Sequence, residues 1–425
     1  MTAKELAGRI GTEIPEELVS LKNLIYSSPA TLSYHSPGAE GYGVKRASLA
    51  VPGSVLLLVA PACCGRNTAA LSSPEYRDRC FYLLQDETDI VTGRHLSRIS
   101  DAVREICEST ETPPSVVIIC TTCVDALLGT DMERVCRKAS EAAGVPVIPS
   151  TMYALTREGK EPPMVSVQRS IYSLLEKRTR RADAVNLIGE FASLAEETEI
   201  RTLLSKHGIR TLRELGSCRT YEEFLAMAEA NFNLVINPEA LPAAEDMHRR
   251  LGIPYLTFRR LYQPDKIRKQ YELLGSALGI RFDITEEEAR AEAAVDALIT
   301  KHPKVSLAVG EWMNGSPFET AWAFVRFGWN VSAIYGTVTE EDRVYIEHLA
   351  EHSPETRIYS NLSPTMYHYA CGEVHADVTI GQDAAYYHPE SRHVLWNEEH
   401  KPLGFRGLEG LAKVLSEALE TEVRA

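Results

Sequence analysis

A chain of 425 residues with a formal charge of −14 is too long for one ordinary core and suits two or three domains. Its 59 acidic against 45 basic side chains leave no basic footprint for nucleic acid, since the basic run "EKRTRRAD" is short and mixed. The start, "MTAKELAGRIGTEIPEEL", has no apolar signal core, and the longest aliphatic run, Val55 to Ala60, is too short to cross a bilayer, so a soluble, cytoplasmic protein with no membrane partner is expected.

Apolar, β-rich runs alternate with helical patterns along almost the whole chain, the signature of parallel sheets built from βα units. The first group is "SVLLLVA", "SVVIICT" and "VPVIPST", with the helical "DMERVCRKASEAAG" between the last two. After the basic run come "AVNLIGE", "NFNLVIN" and "IPYLTF", alternating with "LAEETEIRTLLSKHG", "TYEEFLAMAEA" and "ALPAAEDMHRRLG". The acidic helix "TEEEARAEAAVDALITKH" leads to "VSLAVGE", "WNVSAIYG", "TRIYSN" and "HADVTIGQ", separated by "SPFETAWAFVRFG", "EEDRVYIEHLAEH" and "SPTMYHYACGE". "FRGLEGLAKVLSEALE" closes the chain as a helix. The class is α/β, and three domains are expected, at residues 1–180, 181–300 and 301–425.

Two stretches carry chemistry, "LLLVAPACCGRNTAA" and "VVIICTTCVDALLGTD". In each an apolar strand stops at cysteines, which puts Cys63, Cys64, Cys120 and Cys123 where parallel sheets collect ligands. Nine cysteines, an odd number without an export signal, favour reduced thiols over disulfides. Thiolate ligands at helix starts suit an iron–sulfur cluster. Zinc competes, but adjacent Cys63 and Cys64 point apart in extended backbone and do not both reach one small ion. A thioredoxin-type dithiol competes for "CTTC", without the surround that such a motif has. Cys107 and Cys136 lie on helical patterns and read as core thiols.

"TTCVDALLGTD" followed by a helix and "GVPVIPS" resembles the third cluster-cysteine motif of the nitrogenase component 1 superfamily. "VAPACCG" resembles its second, which selects Cys64, and "DIVTGRHLSRISDAVREI" resembles the strand-and-helix segment that follows. "NLIGE", "NFNLVINPEALPAAEDMHRRLGIPYL" and "GFRGLEGLAKVL" fall in the family's order, so the likeness covers nearly the whole chain. The resemblance implies three Rossmann-like domains per subunit and an iron–sulfur cluster at a subunit interface, [4Fe-4S] or a larger P-cluster-like group. It also implies a homodimer or a paralogous component 1-like partner, and electrons from an ATP-dependent reductase-like iron protein. The chain has no GxxxxGK[ST] loop and is therefore not that reductase.

Three departures restrict the reading. No cysteine stands near Gly38 and Ala39, where the family's first ligand falls, which leaves Cys64 and Cys123 matched and Cys63, Cys120 or Cys80 as replacements. Asn237 and Leu403 stand where the catalytic nitrogenase subunit has its cofactor cysteine and histidine, which argues against dinitrogen reduction. The implied function is a nitrogenase-like oxidoreductase subunit passing electrons to a bound substrate; the alternatives are a scaffold for assembly of a complex metal–sulfur cofactor and a tetrapyrrole reductase. Glu311, Trp312, Asn314, His368 and His388 are expected to line a substrate pocket, through an anion-binding strand end and a His- and Tyr-rich loop. Cys371 reads as a core thiol, and Arg66 and Asp125 are expected on the face that docks the reductase.

Overall fold

The computed structural model describes residues 1–9, 43–62, 76–152, 161–372, 374–400 and 402–421. Among these residues thirteen strands form three sheets, every pair in them parallel. The first sheet contains β1 (Ser54–Ala60), β2 (Cys80–Leu84), β3 (Val116–Thr121) and β4 (Val147–Thr151), in the order β2-β1-β3-β4. The second repeats that order with β5 (Arg181–Ile188), β6 (Thr211–Glu214), β7 (Ala230–Val235) and β8 (Tyr255–Thr257), as β6-β5-β7-β8. The third contains β9 (Ser306–Gly310), β10 (Asn330–Tyr335), β11 (Arg357–Tyr359), β12 (Val378–Ile380) and β13 (Arg392–Val394), ordered β11-β10-β9-β12-β13. This last order is that of a dinucleotide-fold half extended by two strands, and the other two are its flavodoxin-like relatives.

The central strands are continuously apolar because both faces are covered. Leu56 and Leu58 of β1 point into one core with Ile118 and Cys120, while Val55, Leu57 and Val59 point into the other with Ile99, Val103 and Ala139. The flanking helices start and stop where local chemistry dictates. Asp131 accepts the Arg134 N–H at 3.0 Å to open the helix Met132–Ala143. The closing helix Gly404–Glu420 lacks a cap of its own, and Glu199 supplies one from a distant segment: its Oε1 accepts from the Phe405 N–H at 2.6 Å and the Tyr271 hydroxyl at 2.8 Å.

By compactness the chain divides into two units. One carries the first two sheets, through Ser193 and again over Ile209–Phe258; the other carries the third sheet with the N-terminal helix Ala3–Ala7, Leu194–Gly208 and the chain from Arg259 onward. Each expected sequence range thus holds one sheet, while compactness groups the first two, which share an apolar cluster running from Leu56 and Ile118 to Val235 and Met247. Two local expectations are corrected. "DIV" is helical, within Glu87–Thr92, because the strand comes earlier as β2. "SPTMYHYACGE" forms only the short turn Pro364–His368, after which Tyr369 packs against a buried apolar cluster while Tyr367 is exposed. Among the described residues no helix is long and apolar enough to cross a membrane.

Gly404 sits at φ +69, and a Cβ there would lie 2.0 Å from Glu199 Oε1. Gly404→Ala is expected to cost about 2–4 kcal/mol in urea unfolding, through strain and overpacking. At Gly407, where the nearest atom to an added Cβ is 3.5 Å away, alanine is expected to be nearly neutral.

Candidate functional site

In the first sheet β1 and β3 are neighbours although β2 lies between them in sequence, so the strand order reverses beside them and a crevice opens at their carboxyl ends. The two strands pair in register from Ser54↔Val116 to Val59↔Thr121 and leave the sheet side by side. Cys123 follows Thr121 by two residues and opens the helix Cys123–Leu127, its thiol half-buried. On the β1 side the described chain ends at Ala62, and Cys63, Cys64 and Arg66 lie outside the described residues, as do Gly38 and Ala39. The helix beginning at Cys123 has five residues, so its dipole contributes little, and no side chain caps it.

The other thiols sit elsewhere. Cys120 points from β3 into the apolar layer, fully buried, and burial pushes its thiol up to about 12. Cys80 begins β2 half-buried; burial raises its pKa, and its Sγ lies 3.7 Å from the Tyr82 hydroxyl. Cys136 is in the core on the opposite face of the sheet, also pushed up to about 12 by burial, and Cys107 packs against the same layer. Cys371 is half-buried in the turn after Pro364–His368. Among the described residues no three His, Cys, Asp or Glu side chains converge as a metal site.

Asp125 corrects an expectation: it is 2% exposed and turned inward, so it offers no charge to a docking partner. Its Oδ1 lies 3.5 Å from His95 Nε2 and 3.4 Å from the Thr130 hydroxyl, and burial raises its pKa against the pull of His95. Gln85 and Thr122, also buried, have side-chain atoms with no hydrogen-bond partner. Sequence reasoning missed this polar lining behind Cys123, although a His and a Gln after a strand were signals for it. A cavity of about 290 Å3 borders it, lined by Thr121, Asp125, Thr130, Thr151 and Glu161. A larger groove of about 1070 Å3 runs beside β4, lined by charges such as Arg169 and Arg250 that already pair with Glu161 and Asp246; Cys136 lines it, and Cys123 does not.

The third sheet has its own crevice, where β9 meets β12, and here the expected pocket residues can be placed. The N–H groups of Glu311 and Trp312 are a strand-end anion seat, and Asp383 occupies it, accepting them at 3.0 and 3.2 Å. Gly310 makes room, since a Cβ there would lie 2.0 Å from Asp383 Oδ1. Asn361 Nδ2 bridges Glu311 Oε1 at 2.9 Å and Asp383 Oδ2 at 2.6 Å. Burial and the Asp383 charge push the Glu311 carboxyl up to about 7. Asn314 is spent on structure: its N–H donates to the Trp396 carbonyl at 2.7 Å and its amide reaches Glu398 at 3.3 Å. His388 is buried against Tyr335, whereas His368 is exposed beside Tyr367. Asp383 and Asn361 are the partners that the sequence did not mark. Asn237 and Leu403 hold structure too: Asn237 Oδ1 accepts from the Glu239 N–H at 3.0 Å, and Leu403 is buried at the start of the closing helix.

Glu319 stands near this crevice in sequence, 1% exposed, with its carboxylate accepting from the Tyr262 N–H and the Gln263 amide at 3.0 Å. Burial pushes it up to about 7 from 4.5, so the folded state holds its proton more tightly than the unfolded state. Its stabilisation is complete below the unfolded pKa and is lost as pH rises through the folded one. Raising the pH from about 5 to 8 is expected to lower the unfolding free energy by on the order of 1–3 kcal/mol, and Glu319→Gln to flatten that slope in pH-dependent urea titrations.

Comparison with known proteins follows this geometry. The family described as "Nitrogenase component 1 type Oxidoreductase" matches residues 40–419. The nitrogenase iron-molybdenum cofactor biosynthesis protein NifE of Klebsiella pneumoniae is 33% identical over 247 residues, 53% of this chain and 53% of that protein. NifE of Rhodobacter capsulatus is 29% identical over 208 residues, 47% of this chain and 43% of the relative. The chain thus spans about half the length of the curated relatives it matches. A solved structure, "Nitrogenase Cp1 at pH 6.5", superposes with a TM-score of 0.69 at 16% identity over 95% of both chains, which establishes likeness of fold alone.

Proposed function

Because the chain belongs to the nitrogenase component 1 type oxidoreductase family, we propose that it is a cofactor-assembly subunit, a scaffold on which a metal–sulfur cluster is held and from which it is passed on. The observation that carries this is the register of β1 and β3, which brings the Cys123 segment and the chain leading to Cys64 out of the sheet together. The relatives named as cofactor biosynthesis proteins support assembly over the electron-passing, substrate-reducing role that the motifs first suggested. The family description keeps reduction of a substrate as the second reading.

The donor chemistry fits an iron–sulfur group at Cys123: a half-buried thiol at a strand end, beside a polar rather than an apolar wall. Cys64 is its proposed companion, with Cys63 as a further donor. The burial of Cys120 and the raised thiol of Cys80 support packing roles and narrow the ligand set. When bound, such a group supplies one-electron chemistry and bridging sulfide. This chain's residues hold it through Cys123, and the Gln85, His95 and Asp125 wall behind fixes the segment that carries the thiol. One chain supplies few thiolates, so a second copy or a paralogous subunit completes the set. Reduction by an ATP-dependent iron protein, if the second reading holds, requires a docking surface other than Asp125.

Protein purified without oxygen is expected to contain iron and acid-labile sulfide. Cys123→Ser and Cys64→Ser should lose most of both, while Cys107→Ser, Cys120→Ser and Cys136→Ser retain them. Stoichiometric zinc without sulfide would refute the cluster. Transfer of the bound metal–sulfur group to an apo nitrogenase-type acceptor supports the scaffold; ATP-dependent substrate turnover with a reductase, and no transfer, overturns it in favour of the second reading.

A further inference from the structure

The unit built on the third sheet holds a cluster of phenols that neither proposed function uses. Tyr335 ends β10 fully buried, and its ring centroid lies 4.7 Å from that of Tyr387, 5.4 Å from Tyr359 and 5.8 Å from Tyr369. Phenylalanines would fill such a layer without the cost of burying hydroxyl groups, which must be paired. Here the hydroxyls are paired. The Tyr335 hydroxyl lies 2.7 Å from His388 Nε2 and 2.9 Å from the Tyr369 hydroxyl.

His388 is 3% exposed, and burial, with His375 and His393 adding to it, pulls its pKa down to about 4. The imidazole is therefore neutral near pH 7, and in its Nδ1–H tautomer Nε2 is an acceptor. In that tautomer Tyr335 donates to it and is left to accept from Tyr369. Burial raises the Tyr335 pKa far above the ordinary phenol range, so the ground state keeps its proton. The ring series reaches solvent on one side: Tyr387 lies 5.5 Å from Tyr386, which is 61% exposed.

We propose that Tyr335 and His388 form a one-electron redox site, reached through Tyr387 and Tyr386, that takes up oxidising equivalents from radical or high-valent-metal oxidants at the surface. The oxidant removes one electron from Tyr386 and is itself reduced by one. Tyr387 refills Tyr386, and Tyr335 refills Tyr387. An oxidised phenol is a far stronger acid than imidazolium, so the Tyr335 O–H bond breaks and an N–H bond forms at His388 Nε2. The products are a neutral tyrosyl radical and an imidazolium. A thiolate reductant returns one electron, becoming a thiyl radical, while His388 returns the proton. The preformed hydrogen bond to a neutral imidazole makes Tyr335 the place where the vacancy settles, since imidazole is a far stronger base than the Asn361 amide oxygen that accepts from the Tyr387 hydroxyl at 3.2 Å.

The test uses the full chain and photogenerated tris(bipyridine)ruthenium(III) as oxidant, with the neutral tyrosyl radical followed by electron paramagnetic resonance and transient absorption. The protein is expected to give a long-lived radical, and Tyr335→Phe to lose it. Tyr367→Phe, an exposed ring outside the series, is expected to leave it unchanged. Tyr386→Phe should slow the radical's appearance; an unchanged rate would overturn the assigned route. His388→Leu, with folding checked by circular dichroism, should remove the long-lived species. Equal lifetimes in the original protein and Tyr335→Phe would overturn the site.

Discussion

In a parallel sheet every strand delivers its loop, and the unpaired N–H groups that follow, to the same edge. That edge must be given something anionic, or something that accepts hydrogen bonds, before it can be buried. The unit around the third sheet meets the demand with its own carboxylates: Asp383 on the N–H groups of Glu311 and Trp312, Glu199 on the start of the closing helix, and Glu319 on Tyr262. The first sheet is provided for differently. Its nearest carboxylate, Asp125, turns toward His95 and Thr130, and the helix at Cys123 has no side-chain cap. The two crevices thus have different chemistry on related topologies. One is closed by a side chain of the protein itself, and the other is walled by polar groups whose partners are incomplete.

The ten strand runs read from the sequence are strands, and the three that were missed share a cause. β2, β6 and β13 are all edge strands, short and partly exposed: β6 and β13 interrupt their apolar residues with charged ones, and β2, although apolar throughout, has five residues of which none is fully buried. β4, β8 and β11 are edges too. Helix boundaries were legible where a cap residue announced them, as at Asp131. The closing helix was legible by its apolar repeat although its cap lies some two hundred residues away, a relation no local pattern contains.

The candidate site divides along the same line. That cysteines stand at neighbouring strand ends was readable, because it needs only the end of an apolar run and the adjacency of two strands. Whether each thiol faces a crevice or a core was not, since the choice depends on alternation along β3: Cys120 and Cys123 are three residues apart, yet one is sealed among aliphatic side chains and the other is half-open. The assignment of Asp125 to the surface failed for the complementary reason. A charged residue in a short helix is ordinarily solvated, and only the tertiary placement of His95 draws it inward. Asp383, Asn361 and Tyr335 were invisible as partners because they come from three different βα units: Tyr335 ends β10, Asn361 follows β11 and Asp383 follows β12.

The grouping of the first two sheets around one apolar cluster has a consequence for biosynthesis. The unit that carries Cys123 is bounded by Phe258, so every strand and helix it needs has been translated while much of the chain is still unmade. The other unit begins with Ala3–Ala7 and is closed by Gly404–Glu420, and the Glu199 carboxylate must wait for that last helix before it meets its donors. On the ribosome, the cysteine-bearing unit is thus ready to form before the helix Gly404–Glu420 that closes the other unit has been made.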